Sequence, residues 1–132
     1  MGTMSRATGW LLMMALPSGC ASTALGPERV SQVLAEAADQ VKRCYRQPRM
    51  RSAGREISTR IRVRLARDGT LAGPPQLLWQ SGVSADNRDY ADRMAEAARL
   101  AVIRCAPLRL PPDAYADAWS EFDLTFSPSM RA

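Results

Sequence analysis

Ile57-Ser58-Thr59-Arg60-Ile61-Arg62-Val63-Arg64-Leu65 is the segment on which the fold turns. Ala66-Arg67-Asp68-Gly69-Thr70-Leu71 follows it, and Pro74-Pro75-Gln76-Leu77-Leu78-Trp79-Gln80 completes the stretch. Ile57, Thr59, Ile61, Val63 and Leu65 fall on one side; Ser58, Arg60, Arg62 and Arg64 fall on the other. A period of two marks a strand with one buried face. Asp68-Gly69 between two apolar runs is a tight-turn dipeptide, so residues 57–80 read as a hairpin. Pro74 and Pro75 cannot donate to a ladder. This assigns the second arm, residues 70–80, to a sheet edge and the first arm to the interior.

Upstream of the hairpin, Gly26-Pro27-Glu28 begins a helix. Proline suits the first helical position, and the acid complements the positive end of the helix dipole. Val30, Val33, Leu34, Ala37, Ala38, Val41, Cys44 and Tyr45 follow helical spacing, and Pro48 stops the helix near Gln47. A basic loop holding Arg49, Arg51 and Arg55 leads into the hairpin. Downstream, a second helix starts with Ser84 or Asp86 as its cap and runs to Cys105. Its stripe is Tyr90, Met94, Ala97, Ala98, Ala101, Val102 and Cys105. Pro107 ends it, and Leu108-Arg109-Leu110-Pro111-Pro112 is a rigid connector, followed by a helical turn around Tyr115. Residues 118–126 alternate again. Phe122, Leu124 and Phe126 face one way, and Trp119, Glu121, Asp123 and Thr125 face the other.

The predicted class is therefore α+β, in the order helix, strand, strand, helix, strand. A three-stranded antiparallel sheet with two helices packed on one face buries all the apolar stripes. If the third strand lies beside the first, Glu121 and Asp123 answer Arg60, Arg62 and Arg64, at roughly 0.2–1 kcal/mol for each cross-strand pair.

The chain has 132 residues, enough for one domain, and a net charge of +5. The charge is uneven: positions 41–67 hold ten basic residues and one acid, Glu56, whereas positions 68–132 hold six basic and nine acidic residues. With no His, the commonest general base and metal ligand are missing.

Residues 1–24 read as an export signal: Arg6, a short apolar run from Ala7 to Leu16, and then small residues. The run falls short of the roughly 20 apolar residues that span a bilayer. Ser22-Thr23-Ala24 and Gly19-Cys20-Ala21 both suit ordinary cleavage. Leu16-Pro17-Ser18-Gly19-Cys20 also resembles a bacterial lipobox, with Leu16 one place early, which makes Cys20 a candidate for lipidation. Residues 25–132 form the domain.

Cys44 and Cys105 sit late on the two helical stripes. In an exported chain they read as a disulfide joining the helices; two buried thiols, or a reactive Cys44 among Lys42, Arg43 and Arg46, are the alternatives. No metal-ligand cluster, phosphate-binding glycine loop or carboxylate pair stands out, and no catalytic residue or cofactor is expected. The basic run Arg49, Arg51, Arg55, Arg60, Arg62, Arg64 and Arg67 suggests an anionic surface or nucleic acid. Stacking aromatics are missing from the arginine face of the first strand, so no nucleic acid is expected.

Three segments together resemble a known family. They are Val41-Lys42-Arg43-Cys44-Tyr45 with Pro48; Arg62-Val63-Arg64-Leu65-Ala66-Arg67-Asp68-Gly69-Thr70-Leu71-Ala72-Gly73-Pro74-Pro75; and Ala97-Ala98-Arg99-Leu100-Ala101-Val102-Ile103-Arg104-Cys105-Ala106-Pro107, continuing to Tyr115, Trp119 and Phe126. In this order they resemble the C-terminal domain of TolA, in the TolA/TonB C-terminal fold. The resemblance implies a periplasmic protein-binding domain and not an enzyme. Its partners would be envelope proteins of the TolB, Pal or outer-membrane transporter type, taken up by adding a strand to a sheet edge. It also implies that Cys44 and Cys105 match the family's paired cysteines. The inner-membrane helix and long spacer of that family have no counterpart, so a stand-alone module is expected, anchored to a membrane if Cys20 carries a lipid. The expected binding edge is the third strand: Trp119, Glu121, Phe122, Asp123, Leu124, Thr125 and Phe126. Proline at Leu124 is expected to weaken capture there. The competing classes are a small exported enzyme or redox protein using Cys44, and the anionic-surface binder named above.

Overall fold

The computed structural model describes Gly2 and residues 25–128; apart from Gly2, the predicted signal lies outside the described residues, and so does Cys20. Two α-helices, α1 (Pro27–Cys44) and α2 (Arg88–Cys105), pack on a sheet of β1 (Ser58–Arg64), β2 (Gln76–Ser81) and β3 (Glu121–Phe126). The strand order is β2-β1-β3, with both pairings antiparallel. This is the predicted α+β arrangement, with β1 in the middle. No helix among the described residues is long and apolar enough to cross a membrane.

Most of each stripe goes to one core. Val33, Ala37 and Val41 of α1 meet Ile61 and Val63 of β1, Ala98, Ala101 and Val102 of α2, and Phe122, Leu124 and Phe126 of β3. The alanines of α2 let its backbone approach closely. Ile57, Ala91 and Met94 form a smaller cluster toward the far end of the helix. Tyr45 caps α1 from inside the core, its ring 5.2 Å from that of Phe126.

The hairpin turns where Asp68-Gly69 predicts. Gly69 has φ +84°, and a side chain there would run into the backbone of Leu108, whose N–H bonds to Gly69 O at 2.9 Å. Asp68 Oδ1 accepts from the N–H and hydroxyl of Thr70, at 3.0 and 2.6 Å. The second arm is shorter than residues 70–80. After a bridge between Leu65 and Leu71 it leaves the ladder through Pro74-Pro75 and returns only at Gln76, with a bulge opposite Arg60 and Ile61.

Three further boundaries differ from the sequence reading. The first helix ends at Cys44, with Tyr45 already extended, short of Gln47. The second helix begins at Arg88, capped by Asn87 and not by Ser84 or Asp86. Asn87 is fully buried: its Oδ1 accepts from Ser84 N–H at 2.7 Å, and its Nδ2 donates to Ala53 O and Gly82 O at 2.7 and 2.8 Å. The amide thus spends its groups on the loops behind it and holds residues 84–87 in a turn. The last strand begins at Glu121, not at Ala118. Before it the chain makes a 3-10 turn (Pro112–Ala114) and a π turn (Tyr115–Trp119), closed by Ser120 N–H to Tyr115 O at 2.8 Å.

Candidate functional site

β3 is an edge strand: β1 lies on one side, and no described strand pairs with the other. Which main-chain groups face that open side follows from the ladder. Leu65 N–H bonds to Ser120 O at 3.0 Å, one step beyond the Arg64–Glu121 pair. Hydrogen-bonded and non-bonded pairs alternate in an antiparallel ladder. Val63, Ile61 and Thr59 therefore exchange bonds with Phe122, Leu124 and Phe126, their register partners. The N–H and C=O groups of Glu121, Asp123 and Thr125 point to the open edge.

This divides the predicted edge residues. Glu121, Asp123 and Thr125 carry the open main chain. Phe122, Leu124 and Phe126 lie on the same strand, but their side chains are in the core and their amides serve β1. Trp119 is not on the strand: it is 1% exposed, and its Nε1 donates to Pro111 O at 2.7 Å. The π turn accommodates an extra residue before β3, and this breaks the alternation that put Trp119 beside Glu121.

On the sheet's outer face the acids answer two of the three arginines, Arg60 and Arg62. Arg62 holds Asp123 with two bonds, Nε to Oδ1 at 2.9 Å and Nη2 to Oδ2 at 3.3 Å, and its Nε lies 3.5 Å from Glu121. Arg60 reaches Asp123 at 3.6 Å and donates to Thr125 Oγ1 at 3.1 Å. The hydrogen bond from Arg62 outweighs partial burial and holds the Asp123 carboxyl below the usual carboxylate range, with Arg62 and Arg60 adding charge attraction. A depressed native pKa contributes stability above the unfolded value of about 4, and that stability is lost as pH falls through the native value. The denaturant midpoint is thus expected to fall on acidification below about pH 4, and Asp123→Asn should flatten that fall. At neutral pH the substitution is expected to cost on the order of 1 kcal/mol, between the values for exposed pairs and for charge-assisted bonds. Urea titrations at several pH values check both effects.

The rest of the basic run does not gather into one site. Arg67 stacks over the Tyr115 ring at 4.7 Å, and Arg49, Arg51 and Arg55 are exposed on the loop and 3-10 turn before β1 (Ser52–Glu56). Cys44 and Cys105 stand at disulfide-bonding distance, their Cα atoms 5.7 Å apart. In that state Cys44 offers no thiolate. Beside them Gln40 forms a two-way clasp with Arg109: Nε2 donates to Arg109 O at 2.7 Å, and Arg109 N–H donates to Oε1 at 2.8 Å.

Sequence reasoning did not find the groove of about 330 Å³ beside β3. Val30 and Leu34 of α1, Ala118 of the π turn and Phe122 line its apolar part; Arg60, Arg62, Asp117, Glu121 and Asp123 supply its charged lining. The half-buried Val30 and Leu34 were visible as part of the first helical stripe, but their position beside the last strand depends on packing across the chain. Larger grooves lie by the disulfide, about 610 Å³, and between Pro48 and α2, about 530 Å³. No strand contributes to the lining of either. The opposite sheet edge, β2, exposes Leu77 and Trp79 but is interrupted by its bulge.

No curated protein and no solved structure matches the chain. Residues 27–128 match the family described as Uncharacterised conserved protein UCP034077, a match that takes in the whole α+β unit from the first residue of α1 to beyond β3, and the chain belongs to that family.

Proposed function

We propose that this domain is a cell-envelope protein-interaction module that captures an extended segment of a partner by strand addition at the outer edge of β3. The observation that carries the reading is the edge of β3 that no described strand pairs, where the main chain of Glu121, Asp123 and Thr125 turns away from β1 and a groove runs beside Glu121 and Asp123. Main-chain hydrogen bonds supply affinity in such complexes, and side-chain pockets supply selectivity. The likeness to the TolA C-terminal domain supports the same reading and suggests partners of the TolB, Pal or outer-membrane transporter type. The export signal, with Cys20 as a lipid-bearing residue, suggests a periplasmic, membrane-anchored location. Intact mass of the protein from its host, before and after reduction, tests cleavage, lipid and disulfide together.

The ladder also selects the variant that tests the edge. Leu124 donates its N–H toward β1, so Leu124→Pro breaks the sheet centre and reports on folding alone. Thr125 faces its N–H outward, where proline is tolerated in an edge strand. Tagged protein is expected to retain envelope proteins from a detergent extract of its host. Thr125→Pro is expected to lose them while its circular dichroism and melting stay near those of the parent. Undiminished retention by folded Thr125→Pro excludes this edge.

A further inference from the structure

We infer that the segment received by β3 alternates apolar and basic residues, with the apolar ones turned toward α1 and a basic one beside Glu121 and Asp117. The inference rests on strand addition at β3 and names the chemistry of what is added.

The pleat sets the alternation. A strand laid against β3 continues the sheet, so its side chains point by turns to the helix side and to the outer face. On the helix side they meet Val30 and Leu34, both half-buried, with Ala118 and Phe122 at the floor. These groups offer no charge and no hydrogen-bonding side chain. An aliphatic residue entering there removes apolar surface from water on both partners, whereas a charged residue is desolvated without a partner.

On the outer face the nearest neighbours are Glu121, Asp123 and Thr125. They are not equivalent. Asp123, with a side chain 19% exposed, is already held by Arg62 and Arg60, and Thr125 accepts from Arg60. Glu121 is 51% exposed and touches Arg62 only at 3.5 Å. Asp117, at the same end of the groove, is exposed and accepts the Leu25 N–H at 3.3 Å. Two carboxylates thus stand at this end of the groove; Arg60 and Arg62 also line it, but their shortest contacts go to Thr125 and Asp123. A lysine or arginine opposite them is favoured, and a glutamate there meets like charge.

The test uses the isotope-labelled mature domain and three synthetic peptides of equal length: alternating Lys and Ile with neutral spacers, the same pattern with Glu for Lys, and a scramble of the first without alternation. Amide exchange at Glu121, Asp123 and Thr125 reports strand addition, and calorimetry reports affinity. The alternating basic peptide is expected to slow those three amides and to bind about tenfold more tightly than the acidic one. Glu121→Lys, a change at an exposed side chain, is expected to shrink or reverse that preference. The scramble is expected to bind weakly. If the acidic or scrambled peptide protects the same amides with equal affinity, the inferred pattern is overturned and strand addition stands. If no peptide slows those amides, or if protection appears on β2 instead, strand addition at β3 is overturned and the inference falls with it.

Discussion

Trp119→Ala is expected to cost about 3–5 kcal/mol, the range for removing a large buried aromatic side chain. The indole is 1% exposed and belongs to the core cluster that joins the sheet to Leu108 of the connector after α2. Its ring meets that of Tyr115 edge to face, with centroids 4.7 Å apart. Two losses add in the variant. A cavity opens among residues that can collapse only partly, and Pro111 O loses the Nε1 donor at 2.7 Å, keeping only the Ala114 N–H at 3.1 Å. The hydroxyl of Tyr115 still donates to Leu65 O at 2.8 Å, so the π turn keeps one tether to the hairpin. Trp119→Phe refills most of the space without restoring the hydrogen bond and should fall between parent and Ala. Urea unfolding followed by circular dichroism measures the three. A Trp119→Ala loss below about 1 kcal/mol would contradict the burial described.

Removing the link between Cys44 and Cys105, by reductant or by the double alanine variant, is expected to cost about 2–5 kcal/mol. The residues are 61 apart in sequence, and closing a loop of that length removes on the order of 4 kcal/mol of chain entropy from the unfolded state. The fold should survive under native conditions, because Gln40 and Arg109 clasp the same two segments without a covalent bond. The clasp and the link are therefore coupled. Gln40→Ala is expected to cost more in the reduced protein than in the oxidised one, a non-additivity that a double-mutant cycle detects. Melting with and without reductant, for parent and Gln40→Ala, supplies the four measurements. Equal Gln40→Ala losses in both states would mean that the two fastenings act independently.

Much of the sheet could be read from the residues alone because β1 is buried on one face only. Its odd positions point to both helices and its even positions to water, so Ile61 and Val63 contrast with Arg60 and Arg62 without interruption. The acids of β3 follow the same period, and that made their pairing with the arginines legible. What escaped the period was caused by local bonds of other kinds. The bond from Ser120 N–H to Tyr115 O inserts a π turn that moves Trp119 off the strand. Asn87 delays α2 because its amide is bonded to three backbone groups behind it. The groove needs Val30, Ala118 and Phe122 in one place, and positions so far apart in sequence leave no periodic mark.

The central position of β1 has a consequence for the order in which the molecule is completed. Chains are made from the N-terminus, and β1 finds β2 within the next few residues, a local and rapid pairing. Its other partner is the last strand of the domain, nearly 60 residues further on. Until residues 121–126 are available, the odd-numbered amides of β1 have no mate, and the half-built sheet ends in an open edge of unpaired main chain. The interval is a window for mispairing and for chaperone attention. Once β3 docks, that open edge is sealed, and the sheet presents the carboxylate-bearing edge of Glu121 and Asp123 to its surroundings.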